Sequence, residues 1–152
     1  MVTVISSCKK EWCMFQKTLE FQTKCEGEMV NITPGVEKIV HESGVMNGLT
    51  NIFVTGSTAA VTTIEYEEGV LGDFRRALSV LAPDTIPYDH NTRWNDGNGR
   101  SHVKASCIGP SLTVPVMNGA LMCGTWQQVV LVELDVRSGR KRTVLITVDG
   151  TM

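Results

Sequence analysis

The chain has 152 residues, 42% hydrophobic and 20% charged, with a formal net charge of −2 and a pI near 5.9. Such a length suits one domain over 1–152, able to bury about two-thirds of its unfolded surface in a single core. The charge balance excludes a bulk attraction to nucleic acid or anionic membrane. No apolar run approaches the roughly 20 residues that cross a bilayer.

The first ten residues place their apolar side chains ahead of Lys9 and Lys10, the reverse of a secretory signal, so a cytoplasmic protein is expected. Five cysteines (Cys8, Cys13, Cys25, Cys107 and Cys123) show no CxxC spacing, which argues against a disulfide scaffold or a thiolate zinc site. Cys107 and Cys123 sit in apolar, strand-like text and are expected to be small buried residues; Cys8 and Cys13 are expected to be terminal and exposed.

Apolar and polar residues alternate over 12–24, which predicts a half-buried strand. Asn31-Ile-Thr-Pro-Gly predicts a helix start, with Thr33 as N-cap and Pro34 in the first turn. Val36, Ile39 and Val40 give its buried stripe, Gly44 ends it, and His41 falls on the surface of its last turn. Strands follow over 49–55 and 61–67, then a helix over 69–81 with Val70, Leu71, Phe74, Leu78 and Leu81 on one face. Pro83 breaks that helix.

The stretch from Tyr88 to Ser106 is polar and holds two of the three histidines, His90 and His102, with Gly97 and Gly99 between them. It reads as a flexible loop able to fold back on itself, leading into a strand over 103–108. Ser111 to Val116 predicts a strand and Asn118-Gly119 a tight turn. Residues 126–134 and 141–148 predict a second hairpin closed by Arg137-Ser-Gly-Arg. Two early helices among about seven or more strands predict an α+β fold, its mixed, mainly antiparallel sheet bent into a sandwich.

Neutral imidazoles ligate zinc and similar ions, so His90 and His102 are candidate metal ligands or acid–base groups, with Asp89, Asp96 or Glu65 as carboxylate partners. Gly56-Ser-Thr-Ala-Ala lacks the Gly-Lys-Ser/Thr ending of a P-loop, yet Ser57 and Thr58 can present donors to an anion. Arg93, Arg100 and Lys104 place cations near the histidines, which suits a phosphorylated ligand. The alternative for each is a solvated loop residue. Trp126, opening a strand, is expected in the core or at a subunit contact. Ser106 has no GxSxG setting, which disfavours a serine hydrolase.

Five motifs occur in order: Gly56-Ser-Thr-Ala-Ala-Val-Thr-Thr-Ile-Glu-Tyr-Glu, Asp96-Gly-Asn-Gly, Ser101-His-Val-Lys-Ala-Ser, Gly109-Pro-Ser-Leu-Thr-Val-Pro-Val and Gly124-Thr-Trp-Gln-Gln. Together, over residues 30–150, they resemble the YjbQ family of secondary thiamine-phosphate synthase-like proteins, in its branch with GSTA and DGNG motifs. The resemblance implies a small α+β sandwich assembling as a homotrimer. It also implies a polar pocket near a subunit interface, where histidines can hold a divalent metal, zinc or magnesium. On its motifs Glu65, His90 and His102 fall at catalytic positions, His90 and His102 also at metal-ligand positions. The implied activity is that of a transferase joining a pyrimidine pyrophosphate to a thiazole phosphate. A non-catalytic protein holding a metabolite or anion in the same pocket is the alternative. Arg100 departs from the family pattern: many relatives have a histidine there, and a guanidinium cannot ligate a metal.

Overall fold

The computed structural model describes residues 11–152, so Cys8 and the order of the first ten residues lie outside it. The described residues form β1 (Trp12–Gln22), β2 (Met29–Asn31), α1 (Thr33–Ser43), β3 (Asn47–Thr55), β4 (Ala59–Ile64), α2 (Glu68–Leu81), α3 (Asp89–Trp94), α4 (Gly99–Ile108), β5 (Ser111–Met117), β6 (Ala120–Leu121), β7 (Gln128–Glu133) and β8 (Lys141–Thr151). A five-stranded sheet in the order β1-β8-β3-β5-β6 faces a three-stranded sheet in the order β2-β7-β4. The fold is the expected α+β one, and among the described residues every strand pairing is antiparallel.

Side-chain alternation explains the layering. Val144, Ile146 and Val148 of β8, Ile52 and Val54 of β3, and Val114 and Val116 of β5 point inward onto Val36, Ile39 and Val40 of α1 and onto Val61, Val129 and Leu131 of the second sheet. β7 is buried on both faces: Val129 and Leu131 enter this core, whereas Val130 and Val132 pack on Leu71, Leu78, Ala105 and Leu134. A continuous apolar run is what a strand covered on both sides requires. The three-stranded sheet therefore lies between the five-stranded sheet and a layer made by α2 and α4.

Several expectations change. The α1 N-cap is Ile32, with Pro34 in the first turn and Gly44 closing the helix at φ +71° as expected. Asn31 Oδ1 accepts from the Thr33 N–H at 3.0 Å, and the Thr33 hydroxyl is turned to β7, where it accepts from Val129 N–H at 2.8 Å. His41 is exposed, as expected. Cys13 is half-buried on β1 and Cys107 exposed on α4, the reverse of their expected placements; Cys123 is half-buried in a segment without strand structure.

The expected hairpin between 126–134 and 141–148 does not form, because β7 pairs with β2 and β4 while β8 pairs with β1 and β3. β7 needs cover on two faces and β8 on one, and the intervening segment steps the chain between sheets. Among the described residues four helices replace the expected two, since 88–106 is not a loop and 103–108 is not a strand. The buried positions of α4 run Ser101, Lys104, Ala105, with Ile108 packed behind them, a helical i, i+3, i+4, i+7 stripe carried partly by polar residues. Among the described residues no helix is long and apolar enough to cross a membrane.

Candidate functional site

The chain passes between the two sheets at Gly56–Thr58 and again at Leu134–Arg140, and the two crossings are bonded together. Leu134 N–H donates to Thr58 C=O at 3.1 Å, and Thr58 Oγ1 donates to Asp135 Oδ2 at 3.0 Å. Gly56 adopts φ +142°, and a Cβ there would stand 3.1 Å from Arg142 Nη1. The turn uses glycine both for that backbone conformation and for the close approach of the arginine.

Above these crossings α3 and α4 meet at a sharp corner. Asn95 closes α3 in the left-handed conformation, and Asn91 Oδ1 accepts from Gly99 N–H at 2.8 Å. A Cβ on Gly99 would lie 2.5 Å from Tyr88 Cβ, so here glycine permits tight helix contact rather than flexibility. The corner brings His90 and His102 together with ring centroids 4.5 Å apart and planes tilted by 50°. His90 Nε2 stands 3.3 Å from Asp96 Oδ2, whose Oδ1 also accepts from Asn98 N–H at 3.2 Å. Burial works to raise the Asp96 carboxyl, but these donors outweigh it and hold it below its ordinary value.

The histidines open onto a cavity of about 370 Å³ bordered by Ser57, Trp94, Asp96, Arg137, Arg140 and Arg142. Its floor is a buried ion network. Arg142 Nε donates to Glu133 Oε2 at 2.7 Å, Arg142 Nη2 donates to the Thr58 hydroxyl at 2.9 Å, and Thr23 Oγ1 donates to Glu133 Oε2 at 2.6 Å. Glu133 and Asp135 are fully buried. Burial alone would raise both carboxyls; donors from Arg142 and Thr23 to Glu133, and from Arg137 and Thr58 to Asp135, hold both low, Asp135 far below the carboxylate range. Both are therefore charged, and the floor is a set of compensated ions rather than a proton reservoir.

The expected site residues divide. Ser57, Thr58, His90 and His102 line the cavity, although the Thr58 hydroxyl is committed to the floor. Arg93 is exposed on α3 and does not border the cavity. Arg100 and Lys104 turn away: Arg100 Nη2 and Lys104 Nζ reach Glu26 at 2.8 and 2.9 Å. On a helix, residues 100 and 104 share a face about 200° from residue 102; a strand would have aligned all three. Glu65 follows the far end of β4, exposed and outside the cavity lining, so one chain does not join it to the histidines. Trp126 is exposed rather than core, and Gln127 donates to Thr63 at the β4 edge.

The metal expected from the histidines does not fit the donors of one chain. Among the described residues no three histidine, cysteine or carboxylate groups are grouped to hold an ion. Asp96 is already engaged by His90, and the wall formed by Arg137, Arg140 and Arg142 over Glu133 and Asp135 carries one surplus positive charge, which disfavours a cation. The same wall suits an anion. Arg137, Arg140 and Arg142 are the cations that sequence reading missed. Their signal was the run Glu133-Leu-Asp-Val-Arg-Ser-Gly-Arg-Lys-Arg142, where carboxylates directly abut a doubly buried strand and require cationic partners.

Known proteins have related sequences and the same architecture. The family model described as UPF0047 protein YjbQ-like matches residues 17–151. A UPF0047 protein of Methanothermobacter thermautotrophicus is 35% identical over 137 residues, covering 90% of this chain and 93% of that one. YugU of Bacillus subtilis is 33% identical, covering 88% and 98%. The crystal structure of a YbjQ-like protein of unknown function from Sulfolobus solfataricus superposes with a TM-score of 0.85 at 33% identity, covering 92% and 99%. A hypothetical protein of Aeropyrum pernix superposes with a TM-score of 0.77 at the same identity, covering 88% and 98%. With most of its length matched by model, sequence and structure alike, the chain belongs to the YjbQ-like UPF0047 family.

Proposed function

We propose that the cavity under α3 and α4 binds a phosphorylated small molecule and that the His90–His102 pair acts on it as the acid–base element. The observation that supports this most is that two contacting imidazoles and Arg137, Arg140 and Arg142 line one cavity of about 370 Å³. That volume falls within the usual range for small-ligand sites, roughly 300–1,000 Å³. Guanidinium groups suit phosphoryl oxygens, and imidazole is the usual group for moving a proton near neutral pH.

The reaction to test is thiamine-phosphate formation, in which a thiazole phosphate displaces pyrophosphate from a pyrimidine pyrophosphate. The arginines would stabilise the departing negative charge and a histidine would protonate it. The protein should be incubated with both precursors, with wild-type chain set against His90→Ala and His102→Ala. Product formation lost in both variants is the expected result. Ligand stabilisation of the wild type without turnover would instead favour a metabolite-binding role. Variants that keep all ligand binding and turnover would sink the assignment of the pair.

We place the protein in the cytoplasm as a homotrimer, with Glu65 available to a site only across a subunit boundary. The outer face of the five-stranded sheet supports self-association: Trp12, Met14, Leu49, Phe53 and Met117 are exposed there, and among the described residues no helix covers them. Sedimentation equilibrium giving a single-chain mass would remove this part of the proposal.

A further inference from the structure

We infer that Arg140 is the residue that holds the charged end of the ligand, and that this end is a single tetrahedral oxyanion such as a phosphoryl group. The inference rests on the phosphorylated-ligand reading and assigns the phosphoryl group to one place in the cavity. It follows from the hydrogen bonds that the three arginines make, or fail to make, around the two buried carboxylates.

Arg142 is committed. Its Nε donates to Glu133, and its Nη2 donates to the Thr58 hydroxyl at 2.9 Å and to the Thr58 carbonyl at 3.1 Å. Arg137 is committed as well: Nε and Nη2 each donate to Asp135 at 3.0 Å, and its backbone N–H donates at 2.9 Å. With the Thr58 hydroxyl added, Asp135 accepts four hydrogen bonds, two on each oxygen. Two carboxylate oxygens offer about four lone-pair sites, so Asp135 has no capacity left.

Arg140 arrives third. Its Nε lies 3.4 Å from Asp135 Oδ2 without hydrogen-bond geometry, and among the described residues this buried atom has no partner. Its side chain nonetheless keeps 37% of its surface exposed, on the cavity side of the floor. Asp96, the other carboxylate bordering the cavity, is engaged by His90 and Asn98. Arg140 is thus the one guanidinium of the three whose side chain makes no hydrogen bond among the described residues, its Nε is buried without a partner, and the rest of its side chain borders the cavity. A tetrahedral oxyanion supplies the missing acceptor, with two oxygens spaced for the planar fork of arginine. The wall that a metal cation would avoid is the wall an oxyanion needs.

The experiment is calorimetric titration of the full chain with inorganic phosphate at fixed ionic strength, with sodium chloride as the blank. Wild-type chain is expected to bind phosphate saturably. Arg140→Gln should weaken the dissociation constant by about tenfold or more, the loss expected for a charge-assisted hydrogen-bonding group. Arg140→Lys, which keeps the charge and loses the fork, should fall between the two. Arg76→Gln removes an equal charge from the exposed face of α2 and should leave binding within about twofold. Unchanged melting temperatures would show that the variants remain folded. Saturable wild-type binding that Arg140→Gln leaves intact would overturn the assignment of Arg140 while sparing the phosphorylated-ligand reading. An equal loss in Arg76→Gln would reduce the effect to net charge and also overturn it. No saturable phosphate binding by the wild type would sink both.

Discussion

Two polar clusters flank α4, and by charge they look alike. On one face Glu26 is held by Arg100 and Lys104; on the other, Glu133 and Asp135 face Arg137, Arg140 and Arg142. Each cluster has one more cation than carboxylate. They differ in whether the surplus is used. In the first, Arg100 Nε and Nη2 and Lys104 Nζ all donate to Glu26, and the lysine stem is buried along α4. In the second, the Arg140 side chain makes no hydrogen bond among the described residues and borders a cavity that His90 and His102 also line. A surplus charge in a closed clamp is structure; a surplus charge without a hydrogen-bond acceptor at a cavity edge is what the proposed anion site rests on.

The largest effect should come from breaking the floor. Arg142→Met leaves Glu133 buried without its main partner, at a cost of roughly 3–5 kcal/mol in denaturant unfolding. Replacing Glu133 and Arg142 together with apolar residues should restore much of that loss, because the uncompensated charge is the main penalty. Acid strikes both clusters at once. Glu26, Glu133 and Asp135 all have carboxyls held below their ordinary values in the folded chain. Their contribution is fully present above the ordinary carboxylate range and is lost as pH falls through the lower folded values. Melting temperature should therefore vary little from neutral pH down to about 5 and drop steeply below about 4. A flat profile through pH 3 would contradict the ion networks.

Gly99→Ala tests the corner that joins the clusters. The new methyl would meet Tyr88 Cβ at 2.5 Å and the ring at 2.9 Å. Overpacking of this kind costs typically about 1–3 kcal/mol. Because α3 must shift to accept the methyl, phosphate affinity should fall together with stability. Full retention of affinity would show that the histidines do not depend on the corner.

The sequence made part of this legible. The alternation in β8 and the continuous apolar run of β7 announced their burial, and Pro34 and Gly44 marked the ends of α1. The clustering of His90 and His102 in sequence is matched by their contact at one cavity. The partners were harder to read because a single error of period changed them. Read as a loop running into a strand at 103, Arg100, His102 and Lys104 have no fixed facing; wound as a helix, His102 lines the cavity and the two cations reach Glu26. The helix was hidden because Ser101 and Lys104 occupy positions where apolar residues normally reveal the stripe. Arg140 and Arg142 were hidden differently. A turn signal at 137–140 suggested a local hairpin, whereas the chain crosses between sheets there and carries its arginines to Thr58, some eighty residues earlier.

The smallest effect is the most discriminating. Glu26→Gln removes the carboxylate of the closed clamp but keeps an amide oxygen that can accept from one of the two cations. Glu26 is partly exposed, so solvent takes up part of the loss, and the cost should be about 1–2 kcal/mol. Phosphate affinity should change by less than about twofold, since Arg100 and Lys104 already face away from the cavity. A large gain in affinity would mean that freed cations swing round to the ligand. A large loss would mean that Glu26 holds His102 in place through α4. Either result would join the two clusters into one device. An unchanged affinity with a small loss of stability would leave the clamp as scaffold and the open arginine as the site.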